Sequence, residues 1–495
     1  MALLFDDILI QVGNFSRFQH IQWFLMILAT ITQAWYSYLP IFTVTKVKDS
    51  EVLCSSNANI SDGCDANCTT KRYAVDFTSI VTEWNYVCGV DKYKIPLTKS
   101  IFYVGKFFGA YMFGWISDRY GRRPVFFITA FIQFASSLAT TFAPDYYMFL
   151  VMRLLIGLCS GGNFMVAFLL ATEMVGIKER NLPNGLMHAG YGVGLALQAF
   201  LAYLVRDWRY FNLLITLPNI FFVLYLWWMP ESPRWLVARG RTDDADKILE
   251  KIAKQNKQTF HKEMHTNMIP FDKAISQKTY HLGHLFSTKR LAKITMIQGF
   301  AWLVVSLVYY GLAFNVDDLA GDLYLNAALS GMVEIPAYAL ATVVVNKFGR
   351  RIPTVIYFSV GGIALLSTLP IVLEGKDKEL KNLVVSFSLI GKFAISASFY
   401  QVYIQTAELY PTVLRNNAMG FASLCGRIGG ICAPFIVDGT PKSLPFVVFG
   451  TAGIIAGVLS LMLPETKDKP LPEMATDNTN NSKYVQAEKE ADTTL

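Results

Sequence analysis

The stretch Asp118-Arg119-Tyr120-Gly121-Arg122-Arg123 reappears in altered form 228 residues later, as Asn346-Lys347-Phe348-Gly349-Arg350-Arg351. Each copy follows a long apolar run and places charged residues around a glycine. Glycine permits the tight turn that is needed where one helix ends and the next begins. The repeated box therefore indicates that the chain consists of two related halves.

The composition is that of a membrane protein. Of the 495 residues, 53% are hydrophobic and 16% are charged, whereas soluble domains contain about a quarter charged residues. A membrane-spanning helix needs about 20 mostly apolar residues. We find twelve such runs and number them spans 1 to 12: residues 20–42, 99–117, 124–142, 147–171, 183–204, 211–229, 293–314, 323–345, 353–373, 382–406, 417–437 and 444–463.

Two other charged boxes repeat at offsets of 235 and 234 residues. They are Glu173 and Arg180 with Glu408 and Arg415, and Pro230-Glu231 with Pro464-Glu465. One parallel duplication of a six-span unit accounts for all three repeats. This organisation predicts an all-α membrane protein with the major facilitator fold, two pseudo-symmetric six-helix halves and a solute site at the midplane between them.

The distribution of basic residues predicts the orientation. The segment from Arg234 to Lys293 carries 13 Lys and Arg, and the positive-inside rule places such a segment in the cytoplasm. The N-terminal residues lack the basic start of a cleavable signal peptide. We expect cytoplasmic segments at 1–19 and 230–292, helical halves at 20–229 and 293–463, an extracellular loop at 43–98 and a disordered cytoplasmic tail at 464–495.

The predicted extracellular loop carries two independent signals of an external location. It contains the glycan acceptor sites Asn59-Ile60-Ser61 and Asn67-Cys68-Thr69. It also contains four cysteines, an even number that predicts disulfides in an oxidising compartment. Three pairings are open to them, and the sequence does not choose among Cys54, Cys64, Cys68 and Cys88.

The charged boxes at the cytoplasmic ends offer partners of both signs on one face of the membrane. Ion pairs of this kind hold one conformation closed and break in the other, as alternating access requires. The alternative is that the charges only set the topology and end the helices. The predicted gating residues are Asp118, Arg119, Arg122, Arg123, Glu173, Arg180, Glu408 and Arg415.

From residue 5 to 465 the chain resembles the organic cation, carnitine and organic anion transporters, solute carrier family 22. The Thr-Glu-Trp-Asn box and the long cysteine-bearing first loop are specific to that family, whereas sugar porters share the Pro-Glu-Ser-Pro-Arg box. The resemblance implies a secondary transporter of small organic ions. The matching boxes are Phe5-Asp6-Asp7-Ile8 through Gly13, Thr82 to Cys88, Gly114 to Arg123, Arg206-Asp207-Trp208-Arg209, Pro230 to Leu236, and Thr406 to Thr412.

Charges inside the spans cost about 2.5–3.5 kcal/mol each on insertion scales. We interpret Glu334, near the middle of span 8, and Arg427, deep in span 11, as substrate-binding, and Lys392 and Arg153 as structural. Lys106 lies in span 2. In the family, the span 8 acid resembles a carboxylate that attracts cations, and an arginine at the position of Arg427 is typical of the anion and carnitine branches. Together the two charges suit a zwitterion, unless they neutralise each other.

Aromatic side chains in spans 7 and 10 are candidates for the same site. Trp302 and Tyr309 fall where the family lines its cavity with rings, and ring faces attract quaternary ammonium groups by about 0.5–2 kcal/mol each. The alternative is packing within the bundle. The other predicted substrate-binding residues are Tyr403 and His188, together with Tyr338, which stands about where the anion transporters have a lysine.

The sequence contains no P-loop, His-Glu-x-x-His or Gly-x-Ser-x-Gly box. We therefore expect no enzyme activity, no cofactor, no metal site and no nucleic-acid partner. The prediction is a polyspecific secondary transporter that moves organic cations or carnitine-like zwitterions across the plasma membrane, with an organic anion exchanger as the alternative. A receptor on a transporter fold is a more distant alternative. The ending Thr493-Thr494-Leu495 predicts a PDZ scaffold as a partner.

We expect glycosidase treatment to increase the electrophoretic mobility of the surface protein, because Asn59 or Asn67 carries a glycan. Thiol reagents added without a reductant are expected to leave the loop cysteines unmodified, because these are disulfide-bonded. Unchanged mobility would contradict the first expectation, and labelling of all four cysteines would contradict the second.

Overall fold

The computed structural model describes residues 5–13, 15–47, 52–54, 71–86, 93–175, 181–221, 228–258, 260, 282–317, 319 and 321–467. Each predicted span corresponds to a helix. The helices are, from span 1 to span 12, Arg17–Thr43, Lys94–Tyr120, Arg122–Thr141, Tyr146–Glu173, Asn181–Leu204, Trp208–Thr216, Lys289–Phe314, Leu323–Phe348, Arg351–Leu373, Lys381–Leu409, Thr412–Asp438 and Leu444–Ser460.

The helices have the length and composition that a bilayer requires. Among the described residues, eight helices are long and apolar enough to cross a membrane, and span 12 is apolar but shorter, at 17 residues. Span 6 continues from its helix into the 3₁₀ turn Leu217–Asn219. The predicted all-α membrane fold is confirmed. The helix ends differ from the predicted ones by a few residues except at span 6, where residues 222–227 lie outside the described part of the chain.

The packing of the helices repeats from one half to the other. Span 1 packs against span 5, span 2 against span 4, and span 3 against spans 4 and 6. In the second half, span 7 packs against span 11, span 8 against span 10, and span 9 against spans 10 and 12. Between the halves, span 2 packs against span 11 and span 5 against span 8. Adding six to each number converts one set of contacts into the other, as a duplicated bundle requires.

The first repeated box forms the turn between spans 2 and 3. Gly121 has φ +111°, a backbone conformation that favours glycine. The carboxylate of Glu231 accepts hydrogen bonds from the backbone N–H groups of Arg122 (3.0 Å) and Arg123 (3.1 Å). A Cβ at Gly121 would lie 2.5 Å from Oε2 of Glu231. The Pro-Glu box after span 6 therefore caps the start of span 3, where a negative charge is also favourable for the helix dipole.

The second half repeats this turn between spans 8 and 9. Gly349 has φ +88°, and Glu465 accepts from the backbone N–H groups of Arg350 and Arg351, both at 2.9 Å. The pKa values of the two carboxyls are shifted in opposite directions. Burial raises the pKa of Glu231 above its usual value in spite of its N–H partners. Burial also acts on Glu465, but four backbone N–H groups outweigh it and lower the pKa of Glu465.

Two short helices in the segments outside the spans pack against each other. Helix Phe5–Gln11 buries Ile8 and Leu9 together with Leu249 of helix Thr242–Asn256. The Asn256 amide donates to the carbonyl oxygen of Val12 (2.9 Å), and its oxygen accepts from the N–H of Phe18 (3.0 Å). The N-terminal and central segments therefore form one structured layer at the end of the bundle that carries the two glycine turns, which we call the box end.

The opposite end carries the segment between spans 1 and 2, and we call it the loop end. Strands β1 (Val52–Cys54) and β2 (Lys71–Tyr73) pair antiparallel, and helix Ile80–Glu83 follows them. Glu83 accepts hydrogen bonds from Nε1 of Trp208 (2.7 Å) and Nη2 of Arg209 (2.5 Å). The Trp84 ring packs against Trp208 with centroids 5.9 Å apart. Two boxes that are distant in sequence therefore form one contact, which fixes the loop on the start of span 6.

We expect Gly121→Ala to lower the thermal unfolding midpoint of the purified protein more than Gly240→Ala does. Both positions have positive φ, which costs a residue with a side chain about 1–3 kcal/mol. Gly240 has open space around it, so it is the matched control for backbone strain alone. At Gly121 the new methyl group also displaces the Glu231 cap, which adds about 1–3 kcal/mol. Equal midpoints for the two variants would contradict the capping role.

Candidate functional site

Six ring side chains from both halves meet at the midplane. Trp302 of span 7 lies 5.4 Å from Tyr403 and 5.9 Å from Phe399, between ring centroids. His188, from span 5 of the first half, lies 5.6 Å from Tyr338 and 5.8 Å from Tyr403. We call this set the ring cluster: His188, Trp302, Tyr309, Tyr338, Phe399 and Tyr403. The structure thus brings together all five of the predicted aromatic and histidine site residues and adds Phe399.

Hydrogen bonds orient the ring cluster. The indole N–H of Trp302 donates to Oγ1 of Thr406 (2.8 Å), which itself donates to the carbonyl of Val402 (2.7 Å). The hydroxyl of Tyr309 donates to Oε2 of Glu334 (2.8 Å). The rings are therefore held in position from outside the cluster, and such preorganisation lowers the entropic cost of binding a solute.

Glu334 is fully buried and has a counter-charge. Nζ of Lys392 lies 2.9 Å from Oε1 of Glu334, and the side chains are 1% and 0% exposed. The same ammonium lies 3.5 Å from the ring centroid of Tyr309 and donates to its carbonyl oxygen (3.2 Å). The residue that pairs with Glu334 is therefore Lys392, which the sequence analysis interpreted as structural. Neutralisation of Glu334 by Arg427, the alternative left open there, is not what the structure shows. A cationic solute would have to displace Lys392 to reach this carboxylate.

Arg427 has no such partner. Its side chain is half-buried on span 11, and in the described part of the chain no carboxylate lies within ion-pair distance of its guanidinium. Its Nε has no hydrogen-bond partner. Tyr191, Tyr310 and Tyr403 lie near enough to interact with it electrostatically. Arg427 is therefore a partly accessible cation surrounded by phenol rings.

Two more basic residues are buried within the spans of the first half. Lys106 of span 2 is 4% exposed and donates to the hydroxyls of Ser37 (3.1 Å) and Tyr191 (3.4 Å). Arg153 is fully buried and donates to the carbonyl of Tyr36 (3.0 Å). Counted with Arg427 and Lys392, four basic side chains and Glu334 lie inside the spans, a formal net charge of +3. This excess favours a solute that brings a negative charge.

The halves are joined at the loop end by buried charges. Asp438 at the end of span 11 lies 2.9 Å from Nζ of Lys99 at the start of span 2, and each side chain is 1% exposed. Nζ of Lys46 also lies 2.9 Å from Asp438, and Oγ of Ser100 donates to the carbonyl of Ile431 (2.8 Å). These contacts cross from one half to the other, so the loop end is closed in this conformation.

At the box end, the described ion pairs of Arg122 and Arg350 each lie within one half. Arg122 contacts Asp118 and lies 3.4 Å from Glu173. Arg350 lies 2.7 Å from Glu408. The acids of the second repeated box therefore pair with the arginines of the first. Of the other predicted gating residues, Arg119 lies over the rings of Trp115 and Tyr120, Arg123 donates its backbone N–H to Glu231, and Arg415 lies on span 11.

Sequence reasoning missed the loop-end pairing of Lys99 with Asp438. The two residues are 339 positions apart, and each stands at a predicted span end, where a charge is unremarkable. It also left Lys106 and Tyr191 unassigned. The signal for Lys106 was present, since a lysine within an apolar run requires a partner or a purpose.

Several predicted residues lie outside the described part of the chain. They include Arg180, the glycan acceptors Asn59 and Asn67, and the cysteines Cys64, Cys68 and Cys88. For Cys54 only the backbone, in strand β1, is described. The ending Thr493-Thr494-Leu495 lies beyond the last described residue. These assignments stay predictions.

Comparison with known proteins gives a consistent assignment. Residues 25–477 match the family described as sugar (and other) transporter. The "Organic cation transporter protein" of Drosophila melanogaster is 33% identical, over 97% of this chain and 95% of its own length. "Solute carrier family 22 member 15-like" of Xenopus tropicalis is 39% identical over 81% and 82%. The "Organic cation/carnitine transporter 2" of Homo sapiens is 35% identical over 81% and 71%.

Solved structures support the fold. The inward open conformation of the xylose transporter XylE from E. coli has a TM-score of 0.65 at 18% identity, and the match covers 91% of this chain and 98% of XylE. XylE bound to 6-bromo-6-deoxy-D-glucose has a TM-score of 0.62, with 92% and 98% covered. At this identity the likeness establishes the architecture and carries no information on the solute.

We expect Asp438→Asn to open the loop end, because Lys99 loses its buried counter-charge, a change that commonly costs about 3–5 kcal/mol. The measurement is maleimide labelling of Ser100→Cys in the purified protein, with Cys432 replaced by serine in every variant. Ser100 is 1% exposed, so labelling is expected to be slow without Asp438→Asn and at least tenfold faster with it.

Asp377→Asn is the matched control for this experiment. Asp377 pairs with Lys442 at 4.0 Å within one half, and Lys442 is largely exposed, so its loss is expected to leave the labelling rate unchanged. If Asp438→Asn and Asp377→Asn both label as slowly as the protein that carries neither substitution, Asp438 does not hold the loop end closed.

Proposed function

The chain belongs to the sugar (and other) transporter family and, within it, to solute carrier family 22 with the organic cation transporters; from this premise we propose that it moves small zwitterions of the carnitine type by alternating access. As a member of this family it is a secondary transporter and not an enzyme. What we propose is the identity of the solute. The names of the relatives mention organic cations and carnitine.

The ion pair of Glu334 with Lys392 is the observation that carries this proposal. Because Lys392 already compensates Glu334, a purely cationic solute meets a net positive charge among the described residues of this site. A carboxylate-bearing solute gains from the guanidinium of Arg427, which lacks a described counter-ion. Hydrogen bonds between charged groups, and bidentate arginine contacts above all, are the strong ones.

The ring cluster would bind the ammonium end of a zwitterion. Trp302, Phe399 and Tyr403 form adjacent ring surfaces on the same half as Arg427. A quaternary ammonium over such rings gains about 0.5–2 kcal/mol per ring without needing a carboxylate. A solute with a trimethylammonium group at one end and a carboxylate at the other therefore matches the rings and Arg427 at once.

An organic anion is the second candidate, because the net positive charge at the midplane also favours a solute without an ammonium group. The two candidates differ in their use of the rings. Trp302→Leu is expected to weaken the transport of a zwitterion and to spare that of an anion that has no cationic end.

The proposed membrane and orientation follow from the distribution of basic residues and from the glycan acceptor sites. We place the protein in the plasma membrane with both termini and the box end in the cytoplasm, and the glycan-bearing loop end outside. In this orientation the structure corresponds to a conformation that is closed toward the outside. A PDZ scaffold bound to the C-terminal residues would hold the transporter at a particular site in the membrane.

We expect Lys392→Gln to convert the solute preference toward simple cations. The variant leaves Glu334 without its counter-charge, so a bound cation takes the place of the lysine ammonium. Uptake of labelled choline, which lacks a carboxylate, is expected to show a KM about tenfold lower, equivalent to about 1.4 kcal/mol. Carnitine uptake is expected to gain less, since its carboxylate is drawn to Arg427.

The double variant Lys392→Gln, Glu334→Gln is the matched control, because it removes both charges and restores the original net charge. It is expected to return the choline KM toward the wild-type value. Arg427→Gln, by contrast, is expected to impair carnitine and para-aminohippurate uptake and to spare choline. Surface abundance is measured for every variant. A wild-type protein that takes up choline but neither carboxylate-bearing probe would overturn the proposed function.

A further inference from the structure

We propose that Lys106 is a second ligand for the solute's carboxylate and that, with Arg427, it forms an anion subsite shared between the two halves. The inference rests on the proposed function, since it concerns the same midplane site. It assigns a role to a residue that the resemblance to the family leaves unassigned.

Lys106 differs from the other buried lysines in its partners. Lys392 and Lys99 each lie 2.9 Å from a carboxylate. Lys106 is equally buried, at 4% exposed, but its ammonium donates only to the neutral hydroxyls of Ser37 and Tyr191. Within the described ranges, no carboxylate lies within 4 Å of its Nζ. A buried ammonium without a counter-ion is expensive, and a solute carboxylate would compensate it.

Lys106 and Arg427 face the same place from opposite halves. Span 2 packs against span 11, and the contact is close near both residues. A Cβ at Gly430, about one turn after Arg427, would lie 2.9 Å from the ring of Tyr103, about one turn before Lys106. The charges of Lys106 and Arg427 are near enough to repel each other.

Tyr191 connects the two cations. Its hydroxyl lies 3.4 Å from Nζ of Lys106, and it also interacts electrostatically with Arg427. A carboxylate beside this hydroxyl would therefore lie close to both cations. Tyr191 belongs to span 5, which packs against span 8 of the other half, so the subsite involves both of the main contacts between the halves.

The arrangement also couples binding to conformational change. Lys106 on one half and Arg427 on the other are like charges on packed helices, so in the empty site they would repel each other. A bound carboxylate converts this repulsion into attraction of both halves to one anion. A solute with a carboxylate would therefore favour the conformation in which spans 2 and 11 are packed together, whereas a simple cation would not.

The test uses Lys106→Gln and compares probes with and without a carboxylate. We expect the KM for labelled carnitine and for para-aminohippurate to rise about tenfold or more, because a charge-assisted hydrogen bond is lost. The KM for choline is expected to stay the same or fall. Lys106→Arg, which keeps the charge, is expected to retain most carnitine uptake.

Lys99→Gln is the matched control, since it removes another buried lysine from the same helix. Because Lys99 pairs with Asp438 at the loop end, this variant is expected to change carnitine and choline uptake alike. Thermal stabilisation of purified Lys106→Gln by carnitine provides a readout of binding without transport. We expect that stabilisation to be lost, and the stabilisation by choline, if wild type shows one, to persist.

The outcomes separate this inference from the proposed function. If Arg427→Gln impairs carnitine uptake selectively and Lys106→Gln does not, the inference fails and the proposed function stands. If Lys106→Gln impairs carnitine and choline equally, Lys106 binds a small inorganic anion such as chloride or is structural, and the inference fails. It also fails if neither Lys106→Gln nor Lys106→Met folds while Lys106→Arg does. If wild type takes up neither carboxylate-bearing probe, both proposals fall.

Discussion

The pairing of charged side chains within the membrane, where water cannot solvate them, is the interaction on which this structure depends. A charged side chain in the membrane interior needs a partner, and the chain satisfies this need in two places with ion pairs of different kinds. Glu334 and Lys392 belong to the same half and compensate each other at the midplane. Lys99 and Asp438 belong to different halves, so their pairing depends on the conformation. Lys106, Arg153 and Arg427 are buried or half-buried cations for which the described residues provide no acid, and the proposed solute is inferred from Lys106 and Arg427.

The two duplicated halves share their turns and helix packing but differ in the charges inside their spans. The turns at Gly121 and Gly349 are built alike, each capped by a carboxylate from the end of its half. The helix contacts repeat as well. The charges inside the spans do not repeat: span 8 carries Glu334, and its counterpart, span 2, carries Lys106. A symmetric scaffold therefore holds an asymmetric site, because helix packing depends on shape and size while recognition depends on individual side chains.

The two ends of the bundle are stabilised in different ways. At the loop end, buried charges cross between the halves, and the first loop is fixed on span 6 through Glu83 and Trp208. At the box end, the described ion pairs of Arg122 and Arg350 and the carboxylate caps of Glu231 and Glu465 stay within each half. The box end can therefore separate without breaking these pairs, whereas separation at the loop end requires that Lys99 and Asp438 part. This difference between the two ends keeps the bundle closed at the loop end in this conformation.

The sequence alone determined the number of spans, the duplication and the family, because hydropathy, spacing and short boxes are local properties that folding does not alter. It also identified Glu334, Arg427 and most of the ring cluster, since charges and rings inside apolar runs stand out. Which charge compensates which was decided only by the tertiary structure. Lys392 and Arg427 are both basic residues in spans, and nothing in their local sequence shows that the first reaches Glu334. Pairing depends on distance in space, and helices that are apolar on all sides give no indication of which face meets a neighbour.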